Sequence, residues 1–193
     1  MARGWTQAKM IEVGCEERID MGLGPCDPLD PYQLACQHLI PVYPIDELGT
    51  SRLSERAVER LTTTGKGLWS AALIPVGRVR IIIVNTAHSV ERQVSSLAHE
   101  MAHHLLEHPF DETLLNMEKQ CRNFDKVKED QAKFLSGELL IPQKAARRAA
   151  FDDWTNDIVA ARFGVSAQFA QMQMAGARKY AKFARDKQER ARR

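Results

Sequence analysis

The stretch that decides the fold reads Ser96-Leu97-Ala98-His99-Glu100-Met101-Ala102-His103-His104-Leu105-Leu106-Glu107-His108. From Ser89 to Glu107 the apolar residues recur at helical spacing. Val94, Leu97, Ala98, Met101, Ala102, Leu105 and Leu106 fill one arc about half the circumference wide. His99 and His103 lie at the edge of that arc. Residues four apart on a helix are only about 40° apart around its axis, so two imidazoles can grip one metal ion. Neutral imidazole nitrogen suits zinc, at about 2.0–2.1 Å. Glu100 points roughly 60–100° away, where its carboxylate can reach a water on the metal rather than the metal itself. His-Glu-x-x-His at this spacing is the zinc metallopeptidase pattern. On the same wheel His104 and His108 fall about 100–180° from the pair, which predicts surface or supporting roles for them.

A catalytic zinc needs a third protein ligand and one open position. The candidates lie on a second helix, Lys126–Leu140, stopped by Pro142. Glu129 shares a face with Ala132 and Ser136, small residues that would let this helix approach the Ala98 and Ala102 side of the first. Asp130 points about 100° away and Glu138 lies two turns further on. Glu129 is preferred, with Asp130 and Glu138 as alternatives. Cys121 precedes Glu129 by eight residues. Thiolate binds zinc at about 2.3 Å, so this cysteine could fill the open position and hold an enzyme inactive. The resulting expectation is zinc on His99, His103 and Glu129, with Glu100 as general base and later acid. Tyr32, Tyr43, Tyr180, His88 and His108 are candidate donors to an oxyanion.

Two strand signals precede the metal-site helix, Leu68–Ile74 and Val79–Asn85. They are joined by Pro75-Val76-Gly77 and read as a β-hairpin. Asp30-Pro31 is a helix start, and Pro41–Ile45 is extended because each proline restricts its predecessor. At 193 residues, 44% hydrophobic and 27% charged, the chain is a globular protein with a sizeable core. The longest clean apolar run, Ile81–Val84, is strand-sized, and membrane spans need about 20 residues. The first 20 residues lack the apolar region of a signal peptide. Cys15, Cys26, Cys36 and Cys121 show no paired spacing and are expected as reduced thiols. The expected location is cytoplasmic.

Charge is uneven. The sixteen residues from Arg178 to Arg193 carry eight cationic and two acidic side chains, a net of +6, so the remainder is −4 against +2 overall. Arg178, Lys179, Lys182 and Arg185 are candidate nucleic-acid contacts. Tyr180 and Phe183 could stack on bases, which favours single-stranded DNA. Asn156–Met174 has a helix-turn-helix-like pattern around Gly164-Val165. This leaves a second reading: a DNA-binding regulator with a structural zinc site. Alternatively these helices pack on the core through Ile158, Val159, Phe163, Phe169 and Met172. The expected organisation is a core over 1–145 and a helical C-terminal subdomain with a basic tail over 146–193.

Arg92-x(6)-His99-Glu100-x-x-His103, followed by Glu129-x-x-Ala132-x(6)-Leu139-Leu140-x-Pro142, resembles the ImmA/IrrE metallopeptidases. Asp30-Pro31 with its downstream Leu34-Ala35, the strand pair and Ala160–Ser166 also fit, so the resemblance covers about residues 28–170. Lys133, Leu135 and Ser136 depart from the family's usual residues. The resemblance implies a zincin-like α+β fold, with a small antiparallel sheet packed against helices that include the His-Glu-x-x-His helix. It also implies an endopeptidase that cleaves a helix-turn-helix transcriptional repressor and so derepresses stress, mobile-element or defence genes.

Overall fold

The computed structural model describes residues 4–50, 55–77, 79–109 and 126–192. Among them are eight α-helices and one three-stranded sheet. In chain order these are α1 (Gln7–Asp20), α2 (Pro31–Gln37), β1 (Val42–Pro44), α3 (Glu55–Thr62), β2 (Ala71–Val76), β3 (Val79–Val84), α4 (Val90–Leu105), α5 (Lys126–Leu140), α6 (Gln143–Phe151), α7 (Asn156–Phe163) and α8 (Ala167–Arg192). The architecture is α+β, as the sequence predicts. No described helix is long and apolar enough to cross a membrane.

The hairpin forms, displaced toward its turn. β2 begins at Ala71 rather than Leu68, because Lys66–Leu68 winds into a short 3-10 turn. It runs through Pro75, opposite Arg80. Proline is tolerated there because β2 is an edge strand. Gly77 takes φ +60, the left-handed conformation that tight hairpin connections require. The proline-flanked segment at 42–44 adds a strand the sequence reading left only as extended. β1 pairs parallel to β3, so Ile82 stands opposite both Val42 and Leu73.

Two buried clusters hold the helices together. One joins Met10 and Leu34 from α1 and α2 to Leu73, Ile82, Leu97, Met101, Leu135 and Leu139. The other joins Ala98 and Leu140 to the alanine stripe of α6 and to Val159, Phe163, Ala170 and Met174. α4 and α5 therefore contribute to both clusters. Val159 and Phe163 are buried as expected of packing helices, and Phe169 packs partly against the cluster. Ile158 and Met172 instead face solvent, 50% and 46% exposed. α7 has one inward face, which runs through Val159, Ala160 and Phe163.

α1 lies against α5 along Met10, Gly14 and Arg18. A Cβ at Gly14 would sit 3.3 Å from Glu138 Cγ, so glycine permits the close approach. Arg18, 3% exposed, donates to the carbonyls of Asp27 (2.7 Å) and Leu139 (2.5 Å). Its charge also acts on the buried Glu138, whose carboxylate oxygens accept from the Gln143 N–H at the start of α6.

Candidate metal centre

α4 begins at a serine cap, the Ser89 hydroxyl accepting from the Arg92 N–H. It presents buried Ala98 and Ala102, while α5 presents buried Ala132 and Ser136, and the two helices pack together. Small side chains on both allow the approach that carries Glu129 to the histidines. The His99 Nε2 to His103 Nε2 distance is 3.1 Å. Glu129 places Oε2 3.2 Å from His99 Nε2 and Oε1 3.3 Å from His103 Nε2. With bonds of about 2.0–2.1 Å, the edge of a zinc coordination tetrahedron is about 3.3 Å. Two imidazoles and one carboxylate at these separations form a donor set that fits a metal ion.

The protonation states agree. Burial first, then His99, pushes the His103 imidazole down to about 4, although Glu129 acts against the shift. The ring is therefore neutral near pH 7, the state that binds metal. Glu129 is held below the usual carboxylate range, chiefly by its hydrogen bond to His99. Glu100 projects to the edge of β2, where its Oε2 accepts from the Leu73 N–H at 3.0 Å. Burial pushes its carboxyl above the ordinary range, opposed by His99 and by that N–H.

Asp130 is exposed, and Glu138 lies near the other end of α5 with Arg18; neither belongs to the ligand group. Cys121 lies outside the described residues. Cys15, Cys26 and Cys36 are free. His88 Nε2 is used on the Trp69 carbonyl. His104 turns away from the metal ligands. Its Nδ1 is 2.8 Å from Arg80 Nη1, and its ring packs edge-on against His38, itself paired with Glu17. Burial, Arg80 and His38 hold His104 down at about 4, so the neutral ring accepts from the guanidinium.

His108 departs from the wheel. α4 ends at Leu105, and Glu107 takes φ +51. The chain then folds back, so that the His108 N–H donates to the His103 carbonyl and its ring meets the His103 ring. Pro109 was the available signal, since a residue before proline leaves the α region. Gln131, on α5 beyond Glu129, was not singled out by the sequence; it bonds His108 Nε2 at 3.0 Å.

At the basic end, two of the four cationic candidates serve the fold. Arg178 donates to the Trp154 carbonyl, and Arg185 clamps the Asp153 carboxylate and the Phe151 carbonyl. Tyr180 packs against Phe151 and lies under Arg147. Lys179, Lys182 and Phe183 are exposed.

A helix-borne pair of histidines, joined by a glutamate from the next helix beneath a small sheet, defines a metallopeptidase-type centre. A family model agrees: Peptidase_M78, the IrrE N-terminal-like domain, matches residues 53–174. The chain belongs to this IrrE/ImmA family of metallopeptidases. No curated protein matches it.

Proposed function

We propose that the chain is a zinc-dependent endopeptidase of the cytoplasm. Its substrate in this reading is a helix-turn-helix transcriptional repressor, whose cleavage releases stress, mobile-element or defence genes. The observation that carries the catalytic part is the triangle of His99, His103 and Glu129 ligand atoms at 3.1–3.3 Å, with Glu100 alongside. The repressor as substrate rests on the family resemblance.

His99, His103 and Glu129 would hold the zinc. Bound there, zinc supplies Lewis-acid polarisation of a carbonyl and lowers the pKa of water toward about 7. Glu100 accepts a proton from the attacking water and returns it to the leaving amine. The Leu73 N–H fixes one of its carboxylate oxygens, so the base is held in place rather than ordered anew in each turnover. Exposed Lys179 and Lys182 offer phosphate contacts through which DNA would regulate cleavage.

The test uses zinc-loaded protein and a small helix-turn-helix protein encoded by a neighbouring gene. The wild type should cut it at a discrete bond. Glu100→Gln should retain zinc while cleavage falls by about 10²-fold or more. Cleavage by Glu100→Gln at the wild-type rate would remove Glu100 from the mechanism. Zinc binding and DNA binding with no proteolysis in the wild type would instead favour a zinc-structured regulator using α7 and α8.

A further inference from the structure

We infer that His108 and Gln131 form a proton-ordered relay that sets the tautomer and ring orientation of the metal ligand His103. The inference rests on the metal-centre reading above and adds two positioning residues to it. His103 Nδ1 lies 2.9 Å from His108 Nδ1, and His108 Nε2 lies 3.0 Å from Gln131 Oε1. His103 Nε2 is the nitrogen that faces His99 and Glu129. If that nitrogen offers its lone pair to a metal, the ring proton must sit on Nδ1. Nδ1–H then donates to His108 Nδ1, which must be bare. The His108 proton is therefore on Nε2, and it donates to the Gln131 carbonyl oxygen. One proton position fixes the next, and the chain ends on an oxygen that can only accept.

The backbone is built to deliver this arrangement. Continued as a helix, His108 would stand about 140° around the axis from His103 and could not reach its ring. The left-handed Glu107 ends the helix, and the His108 N–H then bonds the carbonyl of the residue whose ring it touches. That conformation is strained for a residue that carries a Cβ, so the packing around His108 must hold it. His108 is 8% exposed, so an unpaired ring nitrogen there would be penalised and the ordering is enforced. Gln131 lies on the same helix as Glu129, so α5 supplies both a metal ligand and the far end of the relay.

Metal ligands commonly donate their second nitrogen to a fixed acceptor, and losing it lowers metal affinity about 10–100-fold. The experiment titrates the full-length protein with zinc against a competing chelator and records the visible absorption of its cobalt(II) form. His108→Phe keeps a ring but offers no acceptor. It should weaken zinc binding about 10–100-fold and change the cobalt spectrum. His108→Asn places an amide oxygen near the Nδ1 position and should restore most of the affinity. Gln131→Leu, which leaves His108 itself in place, should fall between Phe and wild type, and it carries the test if His108→Phe fails to fold. Wild-type affinity and spectrum in a folded His108→Phe, or in Gln131→Leu, would overturn the relay. So would equal losses in the Phe and Asn variants. If the wild type binds no zinc, or His99→Ala binds it equally well, the metal centre fails as well, a result distinct from failure of the relay alone.

Discussion

Arg18→Met should destabilise the protein by about 3–5 kcal/mol at pH 8, far from any proposed metal ligand. The side chain lies in the α1–α5 contact and donates to two carbonyls, one of them on Leu139 of α5. Its charge also offsets the burial of Glu138. Methionine fills much of the same volume but leaves those carbonyls unpaired, and Glu138 keeps only the Gln143 N–H and the charge of Arg147 against its burial. Arg18 Nε already lacks a partner among the described residues, which favours the lower end of the range. For a chain of this size, 3–5 kcal/mol corresponds to roughly 6–20 °C in Tm. The pH dependence carries the diagnosis. Burial raises the folded-state pKa of Glu138, so the neutral carboxyl is favoured in the fold. Stability linked to it is fully present below the unfolded value, about 4.3, and is lost as pH rises through the folded value. Removing Arg18 raises the folded value further and deepens that loss. The cost of Arg18→Met should therefore shrink as pH falls from 8 toward 5. Adding Glu138→Gln should recover roughly 1–3 kcal/mol at pH 8. Urea unfolding of the metal-free protein, followed by far-ultraviolet circular dichroism for the two single variants and the double, measures each quantity. A cost below about 1 kcal/mol, or the same cost at both pH values, would refute the account.

Two further outcomes are expected. Zinc at 100 times its Kd should stabilise the wild type by about 2.7 kcal/mol, or roughly 5–11 °C in a thermal scan. Glu129→Ala should lose most of this shift and Asp130→Ala should keep it; the reverse would reassign the third ligand. Lys179→Glu with Lys182→Glu should weaken oligonucleotide binding and flatten its salt dependence without disturbing the Arg178 and Arg185 clamps, measured by fluorescence anisotropy at two salt concentrations. Unchanged binding would remove these lysines as DNA contacts. Deleting the tail is a poorer test, because it also strips Ala181 from the core and Arg185 from Asp153.

The parts of the fold that obey a period were legible. The α4 helix, the hairpin and the proline stop after α5 all follow from spacing and turn chemistry. The contact face of α1 was not. It runs through Met10, Gly14 and Arg18, a stripe with one apolar side chain, so no hydrophobic pattern announces it. β1 was missed as a paired strand because three residues flanked by proline carry too little alternation, and its partner is distant in the chain. Near the histidines, the position of Glu129 was legible because small residues marked the close face of its helix. The wheel set His108 away from His103 because it was extended past a helix end made by left-handed Glu107, a break signalled only by Pro109 two residues on.

The contact between Arg18 and Leu139 spans 121 residues, and Trp5 donates its indole N–H to the Leu106 carbonyl across 101. During synthesis the contacts of the first helix with α5 must therefore wait until the end of α5 has been made. The same moment brings Glu129 within reach of the two histidines. Docking of the N-terminal helix and completion of the metal centre are thus coupled in time, because both wait on one late segment. A nascent or truncated chain ending before residue 126 would hold both histidines and neither the glutamate nor the α5 face against which α1 packs. Chains with so many distant contacts pay loop closure before they gain burial. The face of α1 that packs on α5 accordingly stays without that partner through most of synthesis.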